Sequence, residues 1–275
     1  MDHESRNQAE TGNSHNYAMK LPETFAWCVL ILLVQAVIFY FTVKLFGVLM
    51  GDEVSQSAEG TGSDAEKLID MARGSDSAWS GASLLDNGAF LGLFGTVSML
   101  ICCPLIYWIV SLYRGQNVRD YLGLRSTGWL TGIAWVLATL ALGPIIGWLL
   151  TVIDVSNTDQ FMADLEAGRK GEVWQTFFFY FGMGVAFPVV EEFLFRGFIL
   201  RSARYSMLGR SGSVILTAAI FTALHDQYDI AGLLFIFCLG LLLGAARLQT
   251  GSLYVPIAMH VVNNLWAFTA VNLTR

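Results

Sequence analysis

Seven stretches of this chain are apolar over most of the length needed to cross a lipid bilayer, and this restricts its fold more than anything else. A span takes about 20 mostly apolar residues. Stretches at about 25–50, 89–113 and 128–153 qualify outright. Four more follow, at about 173–200, 211–225, 230–246 and 252–271, of which 211–225 and 230–246 are short. None alternates with period two, which argues against an outer-membrane barrel. The predicted fold class is an all-α polytopic membrane helix bundle of about seven transmembrane helices, with six and eight as alternatives. Composition agrees. Charged residues make up 14% of the chain and hydrophobic ones 55%, with a net charge of −6, whereas soluble domains carry roughly 25% charged residues. A disordered chain, an ordinary cytosolic enzyme and a basic-patch nucleic-acid binder are all excluded.

The polar segments divide the chain. Residues 1–23 form a polar tail with Asp2, Glu4, Arg6, Glu10 and Lys20, with no cleavable signal peptide expected. His3 and His15 fall in this tail and suggest disorder rather than a metal site. Residues 24–115 hold two spans around an acidic loop at 51–88, with a short helix at about 64–73 as an option. Residues 116–275 are the expected catalytic membrane core. Basic residues set orientation. Arg114, Arg119, Arg125, Arg201, Arg204, Arg210 and Arg247 fall on the same side as Arg6 and Lys20. The acidic loop, Arg169, Lys170 and Arg275 fall on the other. The expectation is an integral multi-pass protein of a bacterial cytoplasmic membrane, with its N-terminus cytoplasmic. Cys28, Cys102, Cys103 and Cys238 lie in apolar stretches and read as membrane thiols. Gly240 and Gly244 form a GxxxG, read as close helix packing.

Ionisable groups inside spans are costly and mark function. The fourth span contains Glu191, Glu192 and Arg196, the fifth ends Phe221–His225, and the seventh contains His260, Asn263 and Asn264. Residues four apart share a helix face. Glu192 and Arg196 therefore suit an intrahelical ion pair that shapes the site. Glu191, turned about 100° away, is free to face another helix. Phe221 and His225 share a face, as do His260 and Asn264. Residues equidistant from a hairpin turn lie level, and 208, beside Gly209, is the midpoint of Glu191 and His225. Pro188 and Pro256 precede Glu191 and His260 and are expected to kink their helices. Phe221 is expected to pack against the cavity wall and Asn263 to make a helix contact.

A carboxylate and an imidazole around one cavity can activate a water for attack on an amide. Burial raises a carboxyl pKa and improves the base. Imidazole and amide N–H groups suit the oxyanion that follows. No serine or cysteine sits beside a base. The competing arrangement is zinc held by Glu191, His225 and His260, although no HExxH pair supports it.

In order along the chain, EExxxR (Glu191, Glu192, Arg196), FxxxH (Phe221, His225) and HxxxN (His260, Asn264) resemble the CPBP (Abi) family. That family comprises type II CAAX prenyl endopeptidases and bacteriocin-processing or immunity proteins. FPVVEEFLFRGFIL, TGSLYVPIAMHVVNNL and YLGLR (Tyr121–Arg125) share the likeness, which covers about residues 120–270. The resemblance implies an intramembrane endopeptidase. Glu191 and His225 would activate water, His260 and Asn264 would hold the oxyanion, and Glu192 and Arg196 would support them. No cofactor is implied in this glutamic mechanism; zinc is the alternative, since the family has also been described as metalloproteases. The expected partners are the lipid bilayer and a peptide or membrane-protein substrate, prenylated in eukaryotic and archaeal relatives. Alternatives are a non-proteolytic immunity or scaffold protein and, less favoured, a proton-coupled transporter.

Overall fold

The structure, a computed structural model, describes residues 19–50, 84, 87–113, 117–152 and 173–273. The tail with His3 and His15, most of the acidic loop, the optional helix at 64–73 and the 154–172 loop lie outside the described residues.

The described residues are helical, with no strand among them. In chain order the helices are α1 (Leu21–Met50), α2 (Gly88–Ser111), α3 (Val118–Leu122), α4 (Trp129–Val152), α5 (Val173–Arg204), α6 (Gly209–Ala223), α7 (Ile230–Thr250) and α8 (Tyr254–Leu273). The seven long ones match the seven expected stretches, and the architecture is all-α and polytopic. Five (α1, α2, α4, α5 and α7) are long and apolar enough to cross a membrane. Helix α6 has 15 residues, below the span requirement. Helix α8 has 20, but His260, Asn263 and Asn264 dilute its apolar character. Large apolar side chains stay exposed along the spans, including Leu33, Phe41, Leu100, Leu130 and Trp148. A helix that is apolar all round finds its partner in lipid.

The chain forms two compact units. One comprises residues up to Ile31, Cys103–Asn157 and Glu191–His260; the other comprises Leu32–Cys102, Thr158–Val190 and Val261–Arg275. In the first, Leu239, Leu243 and Ala246 of α7 form a core with Val255 and Met259 of α8, closed by Trp135 and Val136 of α4. Helices α6 and α7 pack closely. A Cβ on Gly240 would press on Ala218, and one on Gly244 on Val214, so the GxxxG serves helix packing as expected. Asp229 caps α7 by accepting from the Gly232 N–H at 2.8 Å, and Gly251 ends it in the left-handed conformation at φ 65°. The turn between α5 and α6 covers residues 205–208, with Gly209 at φ 59°, where the hairpin midpoint put it.

In the second unit, Val43, Phe46, Ala89, Phe90 and Leu93 form the core, joined by Trp174 and Phe178. Asn87 caps α2 through the Phe90 N–H at 3.0 Å. Gly92 of α2 and Gly182 of α5 bring two backbones together. A Cβ on either would run into main-chain atoms, of Phe178 for Gly92 and of Gly92 for Gly182. None of the four cysteines is in a disulfide.

Helix α5 departs from a regular α-helix. It is α over Val173–Phe178, π over Phe179–Ala186, α over Phe187–Glu192, π over Phe193–Ile199 and α again over Leu200–Arg204. The Phe187 N–H bonds to the Gly182 carbonyl and the Leu200 N–H to that of Phe195, both five residues back. The first wide turn lies just before Pro188, whose ring would otherwise crowd the carbonyl four residues earlier. Pro256 behaves otherwise than expected. It sits in the first turn of α8, where backbone N–H groups need no helical acceptor, so it does not break the helix.

Gly92→Val should lower thermal stability by about 1–3 kcal/mol or more, because backbone cannot yield as a side chain can. Gly132→Ala in α4, where nothing lies within 4 Å of the added carbon, should be neutral or stabilising. Melting temperatures of the two detergent-purified variants check both.

Candidate active site

A buried ion pair anchors the site. In α5 the Arg196 Nη1 donates to Glu192 Oε1 at 2.8 Å, and neither side chain has exposed surface. This is the expected i,i+4 pair. The rest of the guanidinium is enclosed as well. Its Nη2 donates to the Gly240 carbonyl of α7 at 3.1 Å, and its carbon lies 4.8 Å from the centre of the Phe221 ring of α6. Phe195 packs edge-on against Phe221 at 5.3 Å. Arg196 thus ties three helices together, and cation–π contact adds to its stabilisation. Glu192 Oε2 and Arg196 Nε are buried without a hydrogen-bond partner in the protein.

Glu192 Oε1 also receives His260 of α8, whose Nδ1 lies 3.0 Å away. A carboxylate oxygen only accepts, so Nδ1 carries the proton. In the neutral ring Nε2 is then a lone pair. That nitrogen faces Glu191 Oε2 at 3.7 Å. The His260 side chain is almost wholly buried, while that of Glu191 is 23% exposed. Two acceptors face each other at that distance, an arrangement suited to a shared proton or to a small O–H donor bonded to both. The imidazole set against Glu191 is therefore that of His260.

His225 is placed differently. Helix α6 ends at Ala223 with Leu224 as its cap, and His225 follows in the turn, half-buried. Its Nδ1 lies 2.7 Å from the Phe221 carbonyl. That carbonyl requires an N–H, so Nε2 is left as the basic nitrogen. Phe221 connects the two imidazoles. Its ring centre is 4.5 Å from that of His225 and 5.7 Å from that of His260. It was expected only to line a wall; here it touches Arg196 and both histidines.

Asn264 lies one turn beyond His260 on α8. Its Nδ2 donates to the Met183 carbonyl at 3.1 Å, leaving a second amide N–H, and its Oδ1 accepts from Asn263 Nδ2 at 3.3 Å. Asn263 thus bonds its neighbour on its own helix. Among the described residues no three His, Cys, Asp or Glu are grouped to hold a metal ion. Sequence reasoning passed over Gly240 as an acceptor for Arg196. Its signal was the GxxxG, which marks where backbone is bare.

A family model described as type II CAAX prenyl endopeptidase Rce1-like matches residues 173–266. An uncharacterised 24.3 kDa protein of Escherichia coli is 30% identical over 174 residues, covering 61% of this chain and 74% of that protein. The chain belongs to the type II CAAX prenyl endopeptidase Rce1-like family. No solved structure matches it. The matched Rce1-like stretch contains every candidate residue from Glu191 to Asn264. The family is one of CAAX-type proteases, and the function is of the intramembrane protease type.

Removing one partner of a buried ion pair strands the other. Arg196→Met should therefore cost about 3–5 kcal/mol of stability. The double variant Glu192→Gln/Arg196→Met should recover part of that loss. Thermal unfolding of the single and double variants in one detergent gives the coupling directly.

Proposed function

We propose that this protein is an intramembrane endopeptidase in which Glu191 activates a water to hydrolyse a peptide bond. The observation that carries the reading is the opposition of the Glu191 carboxylate and the His260 Nε2 at 3.7 Å, with His260 held from behind by Glu192 and Arg196. In the first step the water gives one proton to Glu191 while its oxygen bonds to the substrate carbonyl carbon. The carbonyl π electrons move to oxygen, and the oxyanion is met by the free N–H of Asn264 and by His260 whenever its Nε2 is protonated. The C–N bond then breaks, and the amine leaves with the proton that Glu191 took. His225, with Nε2 basic, is the second group assigned to the water. Glu192 and Arg196 act as positioning residues, fixing the face that His260 presents.

The mechanism needs no metal and no cofactor. The substrate is a peptide or a membrane protein presented from the bilayer. The arginine-rich span ends favour a cytoplasmic N-terminus in a bacterial cytoplasmic membrane.

Membrane peptides that accumulate in cells lacking the protein, and that disappear on restoring it, identify the substrate by mass spectrometry. On such a peptide, Glu191→Gln and His225→Ala should each lower kcat by about 100-fold or more in reconstituted protein, the range for lost acid–base catalysis. Exhaustive chelation should leave the rate unchanged. Undiminished cleavage in both variants overturns the assignment, and a rate abolished by chelator and restored by zinc replaces the glutamic mechanism with a metal-dependent one.

A further inference from the structure

Four arginines gather where α5 and α7 end, apart from the Glu191 site. Arg201 and Arg204 belong to the last turn of α5 and Arg247 to the last turn of α7. Arg125 follows the short α3. The YLGLR segment that carries Arg125 is stitched to the α7–α8 turn. The Leu253 N–H bonds to the Gly123 carbonyl at 2.7 Å, the Ser252 hydroxyl to the Arg125 carbonyl at 2.5 Å, and Arg125 Nε to the Gly251 carbonyl at 3.0 Å. Gly123, at φ 74°, makes room for Arg247, since a Cβ there would strike its guanidinium. Two tyrosines gather the other arginines: the Tyr121 carbonyl accepts from Arg247 Nη2 at 3.5 Å while its ring centre lies 5.8 Å from the Arg201 guanidinium carbon, and the Tyr205 ring is shared by Arg201 and Arg204 at 4.6 and 5.4 Å.

No carboxylate among the described residues answers that charge. Their ion pairs involve Arg196 and His260, and no Asp or Glu among them pairs with the four arginines. Aromatic faces take part of the load: Arg201 lies 4.6 Å from the Tyr205 ring centre and 5.8 Å from that of Tyr121. Hydrogen-bonding capacity is nonetheless left over. The Nε atoms of Arg201 and Arg247 and the Tyr121 hydroxyl are buried without a partner, and Arg247 as a residue is only 6% exposed. Burial pushes the Tyr121 phenol above its ordinary pKa, so it remains a donor. The cluster grades from exposed Arg125, through half-buried Arg201 and Arg204, to buried Arg247. It therefore opens outward, at the level where spans end and lipid headgroups lie.

We propose that Arg125, Arg201, Arg204 and Arg247 bind a phosphate group, supplied in the membrane by the headgroup of an anionic phospholipid. Guanidinium forks match phosphate oxygens in pairs. A phosphodiester supplies negative charge and several acceptor oxygens to such a cluster. The site is independent of the proposed hydrolysis.

The test uses the full chain in nanodiscs of phosphatidylcholine, with and without phosphatidylglycerol, read by melting temperature and by native mass spectrometry of retained lipid. Wild type should melt higher with phosphatidylglycerol and retain it. Binding should fall about fivefold for each arginine removed, and so about 25-fold for Arg201→Gln/Arg204→Gln. Arg125→Gln, a change at an exposed position, keeps the measurement available if the double variant does not fold. A parallel arm adds inorganic phosphate to pure phosphatidylcholine discs. No effect there, with a response to phosphatidylglycerol, identifies the lipid as the source; an equal effect supports the same site with soluble phosphate as its ligand. An equal response of wild type and both variants to phosphatidylglycerol, or no response to either ligand, overturns the proposal.

Discussion

An arginine with no surface exposed to solvent persists only where its charge is met, and Glu192 meets that of Arg196 at 2.8 Å. Much of the site's order descends from this contact. The same carboxylate oxygen receives His260 Nδ1, which fixes which imidazole nitrogen faces Glu191. The same guanidinium reaches the Gly240 carbonyl and the face of Phe221, which ties α6 and α7 to α5. Buried ion pairs are poor sources of net stability, because desolvation offsets attraction. Here the pair sets geometry, and the unpartnered Glu192 Oε2 and Arg196 Nε are part of its cost.

The two histidines illustrate how backbone and carboxylate partners choose tautomers. His225 gives its Nδ1 proton to a carbonyl at a helix end, and His260 gives its own to a carboxylate. Each ring is left with a basic Nε2. An aromatic ring, Phe221, stands between them and keeps that region apolar. Low dielectric around such groups strengthens every remaining polar contact.

Much of this was readable from residue order alone. Apolar run length located the seven long helices, because the bilayer imposes it. Spacing of four gave the Glu192–Arg196 pair, and the midpoint rule gave the turn at 205–208. Spacing assumes about 3.6 residues per turn throughout and so does not register the π turns of α5. Helix α5 breaks that assumption twice. The partner of Glu191 was not legible either. Which of two imidazoles an acid meets depends on helix tilt and on the length of α6, and His225 falls past the end of that helix. Proline was read by type rather than by position, so Pro256 was given a kink that a first-turn residue does not produce.

The wide turn at Phe193–Ile199 has a bearing on how sequences of this kind diverge. A π turn holds one residue more than the α turn it replaces and leaves the helix on either side close to its original phase. A one-residue gap within Phe193–Ile199 when homologues are aligned therefore marks loss of the wide turn, while the faces that carry Glu191 and Glu192 upstream and Arg201 and Arg204 downstream keep their relation.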